Sequence, residues 1–218
     1  TAQALTCDAN CSFGGEMCYG PGFRELHESH FIGMSAIWAY DRYNIFALNN
    51  SNIMQYDGRW TTVPNPAAPS PMGEIHGTSP TNVWAVGSTS VLHYDGTGWT
   101  TVTNPSLYNL RDVWVVDENI VWAVGEDGEV IRTINGGVSW SRWELGTGIN
   151  NLHAVYAASA NQALVAGYDN KSYRYNAGSW SEVTDTPHSG TWTWNDLWGT
   201  SIYNVHGVGG AGLSWRYD

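Results

Sequence analysis

Acidic side chains recur at one position of a repeated sequence pattern, two residues before an aromatic side chain. Glu74, Asp112 and Asp196 occupy this position, whereas two other repeats have Ala36 and Ala154 there. Because side chains two residues apart on a β-strand point to the same face, the three acids are expected to form a partial ring around an axis. Such a ring can hold a cation or sugar hydroxyls. Alternatively, each carboxylate accepts indole or backbone N–H groups that fix one sheet to the next.

Two histidines near the start of the chain form a second group with chemical potential. His27 and His30 have an H-x-x-H spacing, and with a further imidazole or the cysteines they would suit copper or zinc. A bound metal ion is therefore one possible cofactor, and the sequence indicates no other. His93 and His206 stand at repeat positions that hold other residue types elsewhere, which favours structural roles for both.

All three cysteines, Cys7, Cys11 and Cys18, lie in the first eighteen residues. This distribution is typical of a small loop closed by one disulfide, with one thiol left to pair with another segment or another chain. Three thiolates binding a metal are the alternative, although the C-x3-C-x6-C spacing matches no strong zinc pattern. Together with the high aromatic content, the cysteines predict a secreted or cell-surface protein.

Composition excludes several functional classes. The 218 residues are 42% hydrophobic and only 13% charged, which is enough apolar surface for a globular core. Nine Lys plus Arg against twenty Asp plus Glu give a net charge of −11, which argues against a nucleic acid or an anionic membrane as the partner. No apolar run is long enough for a membrane span, and no nucleophile elbow, phosphate loop or dinucleotide fingerprint occurs.

An internal repeat of about 40 residues predicts the fold. One aromatic position recurs in five passages, and each passage continues into a strand such as Ile120–Gly125, a third strand that usually ends in Tyr, and a Gly-containing turn. The aromatic position holds Trp38, His76, Trp114, Tyr156 and Trp198. Four short strands in each repeat are typical of a propeller blade, so the sequence predicts an all-β, five-bladed β-propeller.

The fifth repeat is one strand short at Asp218, and residues 20–26 resemble the missing strand, with Phe23 at the position of a repeated Trp. We therefore expect the N-terminal strand to complete the last blade and close the ring. This arrangement divides the chain into a Cys-containing segment, residues 1–19, and a propeller, residues 20–218.

Residues Thr133–Trp140 resemble the Asp-box turn of sialidase-like propellers, with Asn135 in place of the usual Asp. The five-repeat organisation is similar to that of the tachylectin type of five-bladed lectin. The amino-acid sequences of the repeats resemble those of bacterial exported propellers. The lectin resemblance implies carbohydrate binding. Sialidase chemistry would require clustered arginines, whereas the eight arginines are dispersed over the repeats.

Candidate ligand-binding residues come from the connections between strands. Trp143, Trp192 and Trp194 are off the repeat pattern and can stack on a sugar, although the last two can instead extend the fifth inner strand. Polar residues that recur at equivalent positions offer hydrogen bonds: Thr78, Ser79, Asn82, Thr200, Ser201 and Asn204. The sequence thus favours an exported carbohydrate-binding module without catalysis, which recognises a glycan at a cell surface. A metal-binding surface protein and a protein-interaction or assembly module, with a disulfide-linked partner, are the alternatives.

Overall fold

The computed structural model describes residues 12–13, 16–17, 33–49, 52–67, 72–146, 151–184, 192–212 and 214–218. The chain divides into two compact units, Thr1–Phe31 and Ile32–Asp218. In the first unit, β1 (Ser12–Phe13) and β2 (Glu16–Met17) form a short antiparallel hairpin. The predicted boundary between residues 19 and 20 lies outside the described residues.

The second unit is all-β, as predicted, and its described strands form five antiparallel sheets in which neighbouring strands follow chain order. Sheet 1 contains β3 (Met34–Asp41), β4 (Asn44–Asn49), β5 (Asn52–Tyr56) and β6 (Trp60–Val63). Sheet 2 contains β7 (Glu74–Ser79), β8 (Asn82–Gly87), β9 (Ser90–Tyr94) and β10 (Trp99–Val102). Sheet 3 contains β11 (Leu110–Val115), β12 (Val121–Gly125), β13 (Glu129–Thr133) and β14 (Trp140–Glu144).

Sheet 4 has the same four-stranded order, whereas sheet 5 has three described strands. Sheet 4 contains β15 (Leu152–Ser159), β16 (Gln162–Gly167), β17 (Ser172–Asn176) and β18 (Ser179–Glu182). Sheet 5 contains β19 (Trp194–Ser201), β20 (Asn204–Gly209) and β21 (Ser214–Tyr217).

The core lies between successive sheets. The first strands pack side by side in the order β3, β7, β11, β15 and β19. The last four of them also contact the second strand of the preceding sheet. Every residue of β8 and β12 is buried, because these second strands lie between the strands of their own sheet and the faces of adjacent sheets. This double burial explains their continuous apolar sequences, which would be costly to expose to water.

The faces at the two ends of this series are open. Ile37 of sheet 1 is 65% exposed, whereas the equivalent Ile75 and Leu197 are each 2% exposed. On sheet 5, Val208 is 51% exposed, whereas the equivalent Val86 is completely buried. In the described part of the chain, sheets 1 and 5 therefore do not bury these faces against each other. The predicted closing strand, residues 20–26, lies outside the described residues, so the five-bladed closed ring stays a prediction.

Glycines allow the close approach of a connecting segment to the end of a second strand. A Cβ atom at Gly167 would lie 2.0 Å from the carbonyl oxygen of Asn151, and one at Gly125 would lie 2.3 Å from that of Asn109. The Asn151 oxygen accepts a hydrogen bond from the backbone N–H of Tyr168 at 2.8 Å. These contacts hold the incoming segment of sheet 4 to the turn that follows its second strand.

We expect Gly167→Ala to destabilise the second unit by about 1–3 kcal/mol or more, because the backbone at Asn151 must move to admit the methyl group. Gly98→Ala is the matched control, since a Cβ atom there meets no atom within 4 Å. Urea unfolding followed by Trp fluorescence measures both changes, and equal stability of the two variants would contradict the proposed packing role.

Candidate functional site

A cavity of about 500 Å³ lies between the first strands of four sheets, and we refer to it as the inner pocket. Its lining comes from equivalent positions of the repeat, which is why similar side chains meet there. The lining residues are Ser35–Trp38 of sheet 1, Glu74–His76 of sheet 2, Asp112–Trp114 of sheet 3 and Asp196–Trp198 of sheet 5. The structure thus brings the three acids singled out in the sequence into one pocket.

All three of these carboxylates accept backbone hydrogen bonds. One oxygen of Asp112 accepts from the N–H of Val113 at 2.7 Å, and the other accepts from the N–H of Val155 at 2.6 Å. Because Val155 belongs to sheet 4, Asp112 links two sheets, as the structural alternative predicts. Glu74 and Asp196 accept local bonds from the residue that follows each of them, Glu74 from the N–H of Ile75 at 3.0 Å and Asp196 from the N–H of Leu197.

Burial, with some mutual repulsion, raises the pKa values of the carboxyl groups of the inner pocket. Burial raises the pKa of Glu74 to about 7, and the nearby Asp196 charge adds to this rise. Burial, followed by the charge of Glu74, raises the pKa of Asp112 well above its usual value, and burial also raises the pKa of Asp196. A carboxyl group with a pKa near 7 can donate or accept a proton at neutral pH. A cation that enters the pocket would favour the ionised forms.

Aromatic rings form a continuous belt beside the carboxylates. The ring of His76 stacks on Trp114 with the ring centres 4.4 Å apart, and Trp114 meets Tyr156 edge to face at 4.9 Å. On the other side, the centre of the Trp38 ring lies 6.5 Å from that of His76. These residues occupy the aromatic position of the repeat, so the belt joins sheets 1 to 4.

His76 contributes no positive charge to the inner pocket at neutral pH. Burial lowers the pKa of His76 to about 4, and its Nδ1 accepts a hydrogen bond from the backbone N–H of Val115 at 3.1 Å. Since no Lys or Arg lines the inner pocket, any charge that its described lining carries at neutral pH is negative.

Trp198 is the exposed aromatic side chain of the inner pocket. Its indole is 58% exposed, and it follows Asp196 on the same strand face. Trp198 occupies the same repeat position as the less exposed Trp38 and Trp114. Its exposure follows from the open face of sheet 5, which the repeat pattern does not reveal.

The three tryptophans predicted to bind a ligand are all at least partly buried. Trp194 is only 2% exposed and lies in β19, so the core covers its indole. Trp192 is half-buried against the same core cluster. Trp143 lies in β14, where its ring stacks on Trp122 with the centres 6.0 Å apart.

The predicted polar ligand residues lie in hairpins and bond mainly to one another. The amide of Asn82 donates to Thr78 Oγ1 at 2.8 Å, and its oxygen accepts from the indole N–H of Trp84 at 2.9 Å. Ser79 accepts from the N–H of Thr81 at 3.3 Å.

On sheet 5, Asn204 repeats the Asn82 contact by donating to Thr200 Oγ1 at 2.8 Å, beside the exposed Ser201. These geometries support hairpin turns on two separate sheets. None of the six polar residues predicted to bind a ligand lines the inner pocket.

The predicted metal residues His27 and His30, and the three cysteines, lie outside the described residues. Within the described ranges, no group of three or more His, Cys, Asp or Glu side chains has an arrangement that could hold a metal ion. The described part of the chain contains no helix long and apolar enough to cross a membrane.

Comparisons with known proteins identify the type of fold. No protein-family model and no curated protein sequence matches the chain. The fold is similar to that of YCF48 bound to a D1 peptide, with a TM-score of 0.65 and 15% identity over 88% of this chain and 66% of that chain. It is also similar to virginiamycin B lyase from Staphylococcus aureus, with a TM-score of 0.63 and 16% identity over 85% of this chain and 70% of that chain.

An ancestral GH74 enzyme shares the fold as well, with a TM-score of 0.65 and 14% identity over 85% of this chain and 31% of that chain. The chain therefore spans just under two thirds of the YCF48 structure and a smaller share of the GH74 enzyme. These likenesses show a β-propeller-type fold.

The sequence-based interpretation that the protein acts without catalysis is wrong as an inference from this fold. Similar folds include a lyase and a glycoside hydrolase, so the architecture itself weakly suggests catalysis. The dispersed arginines are evidence only against sialidase chemistry and do not exclude other reactions.

The raised pKa of Glu74 predicts how stability depends on pH. Between pH 4.5 and about 7, the folded chain binds more protons at Glu74 than the unfolded chain, so this group's contribution to stability is lost as the pH rises. We expect Glu74→Gln to remove this loss, which is at most about 3 kcal/mol. The stability difference between the variant and the wild type should therefore shift in favour of the variant as the pH rises.

Urea unfolding at pH 4.5, 6 and 7.5 measures this shift. Glu118→Gln is the control, because Glu118 is exposed in a turn of sheet 3. Parallel pH profiles for the wild type and Glu74→Gln would show that Glu74 titrates normally in the folded state.

Proposed function

We propose that the protein is a binding module whose inner pocket accepts a basic group of a peptide or protein partner. The observation that carries the proposal is the combination of Glu74, Asp112 and Asp196 with aromatic rings in one cavity whose described lining contains no Lys or Arg. A lysine or arginine side chain matches both the acids and the aromatic rings of such a pocket. Its charge faces the carboxylates, while its stem and cationic head contact the rings.

Electrostatics supports a cationic partner. Burial and, to a smaller extent, repulsion between the carboxylates raise the pKa values of Glu74 and Asp112, and an entering cation would relieve that repulsion. The net charge of −11 adds a long-range attraction for basic partners, which speeds encounter at low salt. Burial within the cavity strengthens the local interaction relative to a surface pair.

The comparison with YCF48 supports a peptide as the partner, since that protein of similar fold is described as bound to a D1 peptide. The likeness is one of fold, so it supports a class of partner and no particular sequence. A β-propeller-type fold offers such a partner a pocket formed where several sheets converge.

Carbohydrate binding is the second candidate function, and the exposed indole of Trp198 beside Asp196 favours it. An indole face stacks on the C–H groups of a sugar, and protonated carboxyl groups both donate and accept hydrogen bonds. A secreted or cell-surface location fits either candidate and is part of the proposal, as is a metal at His27 and His30.

The two candidates predict different dependence on pH. Binding of a basic group should strengthen about tenfold or more from pH 5 to pH 8, because Glu74 becomes ionised as the pH rises through about 7. Labelled heptapeptides that differ only in a central lysine or norleucine test this by fluorescence anisotropy. Glu74→Gln should flatten the pH dependence, and Glu118→Gln should preserve it.

Equal binding of the lysine and norleucine peptides would contradict the proposal. A glycan array probed at both pH values tests the second candidate. A sugar that binds with little change between pH 5 and pH 8, and that Trp198→Ala abolishes, would assign the inner pocket to carbohydrate instead.

A further inference from the structure

The inner pocket has two layers, one of carboxyl groups and one of aromatic rings. Asp196 and Trp198 lie two residues apart on β19, and Glu74 and His76 have the same spacing on β7. Because a strand rises about 3.3 Å per residue, the two layers are separated by about 7 Å along the strands. A side chain with a cationic end and an apolar stem can therefore contact both layers at once.

Sheet 1 leaves space in the layer of carboxyl groups. It contributes Ala36 to the lining, at the repeat position that holds an acid in the other three lining sheets. The methyl group of Ala36 fills little of the cavity and brings no hydrogen-bonding atom. Since β3 packs beside β7, the space next to Ala36 is available to a group that contacts Glu74. The charge of Asp196 also reaches Glu74, because it adds to the rise in the pKa of Glu74.

The three acids differ in the hydrogen-bonding capacity that remains for a ligand. Asp112 uses both of its oxygens on backbone N–H groups of sheets 3 and 4. Glu74 uses one oxygen on the N–H of Ile75, and Asp196 accepts a bond from Leu197. Within the described residues, the second oxygen of Glu74 has no protein partner. Asp112 therefore holds two sheets together, whereas Glu74 and Asp196 can accept hydrogen bonds from a ligand.

Two carboxyl groups next to flat aromatic rings match the shape of a guanidinium group. A guanidinium is planar and directs five N–H donors outward, so it can donate to two carboxylates while a face contacts a ring. Trp38 and Trp198 supply indoles in the ring layer. The ammonium of lysine is more strongly hydrated and has no flat face. A quaternary ammonium has no N–H donor, so it would leave the carboxylate oxygens without hydrogen bonds.

Arg132 shows that this fold accommodates a guanidinium among aromatic rings. Its guanidinium carbon lies 5.1 Å from the ring centres of both Trp122 and Trp143. One of its terminal nitrogens donates to the hydroxyl of Tyr175 at 3.2 Å and to the carbonyl oxygen of Ala160. The side chain of Arg132 thus combines ring contacts with hydrogen bonds from the edge of the guanidinium, which is the combination that the inner pocket offers.

We propose that the inner pocket selects arginine over lysine in its peptide partner, with the guanidinium donating hydrogen bonds to Glu74 and Asp196. The stem and one face of the guanidinium contact the indoles of Trp38 and Trp198, and Asp112 keeps its bonds to the backbone. This inference rests on the function proposed above, because it specifies which basic group the same pocket binds.

Four labelled heptapeptides, blocked at both ends and different only in the central residue, test the proposal. The central residues are arginine, citrulline, lysine and norleucine, and fluorescence anisotropy measures binding to the full chain at pH 8. Citrulline has nearly the shape of arginine but no charge, so it separates the effect of charge from that of shape. We expect the arginine peptide to bind about fivefold or more tightly than the lysine peptide, and about tenfold or more tightly than the citrulline peptide.

Two variants test the position of the guanidinium. Glu74→Gln and Asp196→Asn each remove one charged acceptor, so each should reduce the preference for arginine over lysine to about twofold or less. Asp196 is exposed, so its replacement should leave the fold intact, and urea unfolding checks this. Glu118→Gln is the matched control, since it neutralises an exposed carboxylate in a turn of sheet 3 and should preserve the preference.

The outcomes separate this inference from the proposed function. Equal binding of the arginine and lysine peptides, both tighter than the norleucine peptide, would overturn the inference and leave the proposed function intact. Equal binding of all four peptides would overturn both. A preference for arginine that persists in Glu74→Gln and in Asp196→Asn would also overturn the inference, because the guanidinium would then bind elsewhere.

Discussion

The structure depends on the burial of one apolar side chain from each of four first strands, β7, β11, β15 and β19, against the adjacent sheets. Ile75, Val113, Val155 and Leu197 are each no more than 2% exposed, because neighbouring sheets cover them. Burying side chains of this size contributes about 1.5–3 kcal/mol each, so four such positions hold the series of sheets together. The spacing of the repeat then determines where the remaining residues of each first strand lie.

The inner pocket follows from this packing. With the apolar residue turned into the core, the residues on either side of it face the opposite way and line the cavity between the first strands. That alternation brings Glu74, Asp112 and Asp196 into one layer and the aromatic residues into the next. The acids share a space that raises their pKa values, which is an electrostatic cost that binding of a cation would reduce. Asp112 offsets part of the cost with two backbone hydrogen bonds.

Much of this arrangement could be predicted from the sequence, because the repeat fixes strand order and alternation fixes which side chains share a face. The antiparallel four-stranded sheets and the convergence of the three acids follow from these two rules. The number of sheets in a closed ring does not follow, because it depends on the angle between sheets. Ile37 and Trp198 illustrate the limit, since equivalent sequence positions differ in exposure when no sheet covers them. Trp194 shows the opposite case, in which a residue off the repeat pattern extends the inner strand into the core, the alternative that the sequence left open.

The most direct test of the account is the titration of the Glu74 carboxyl group followed by carbon-13 NMR, with and without a lysine-containing peptide. The account predicts a midpoint near pH 7 in the free protein and a clearly lower midpoint with the peptide bound. A midpoint near 4.5 that the peptide leaves unchanged would contradict it. The inner pocket would then neither raise the pKa of Glu74 nor bind a cation.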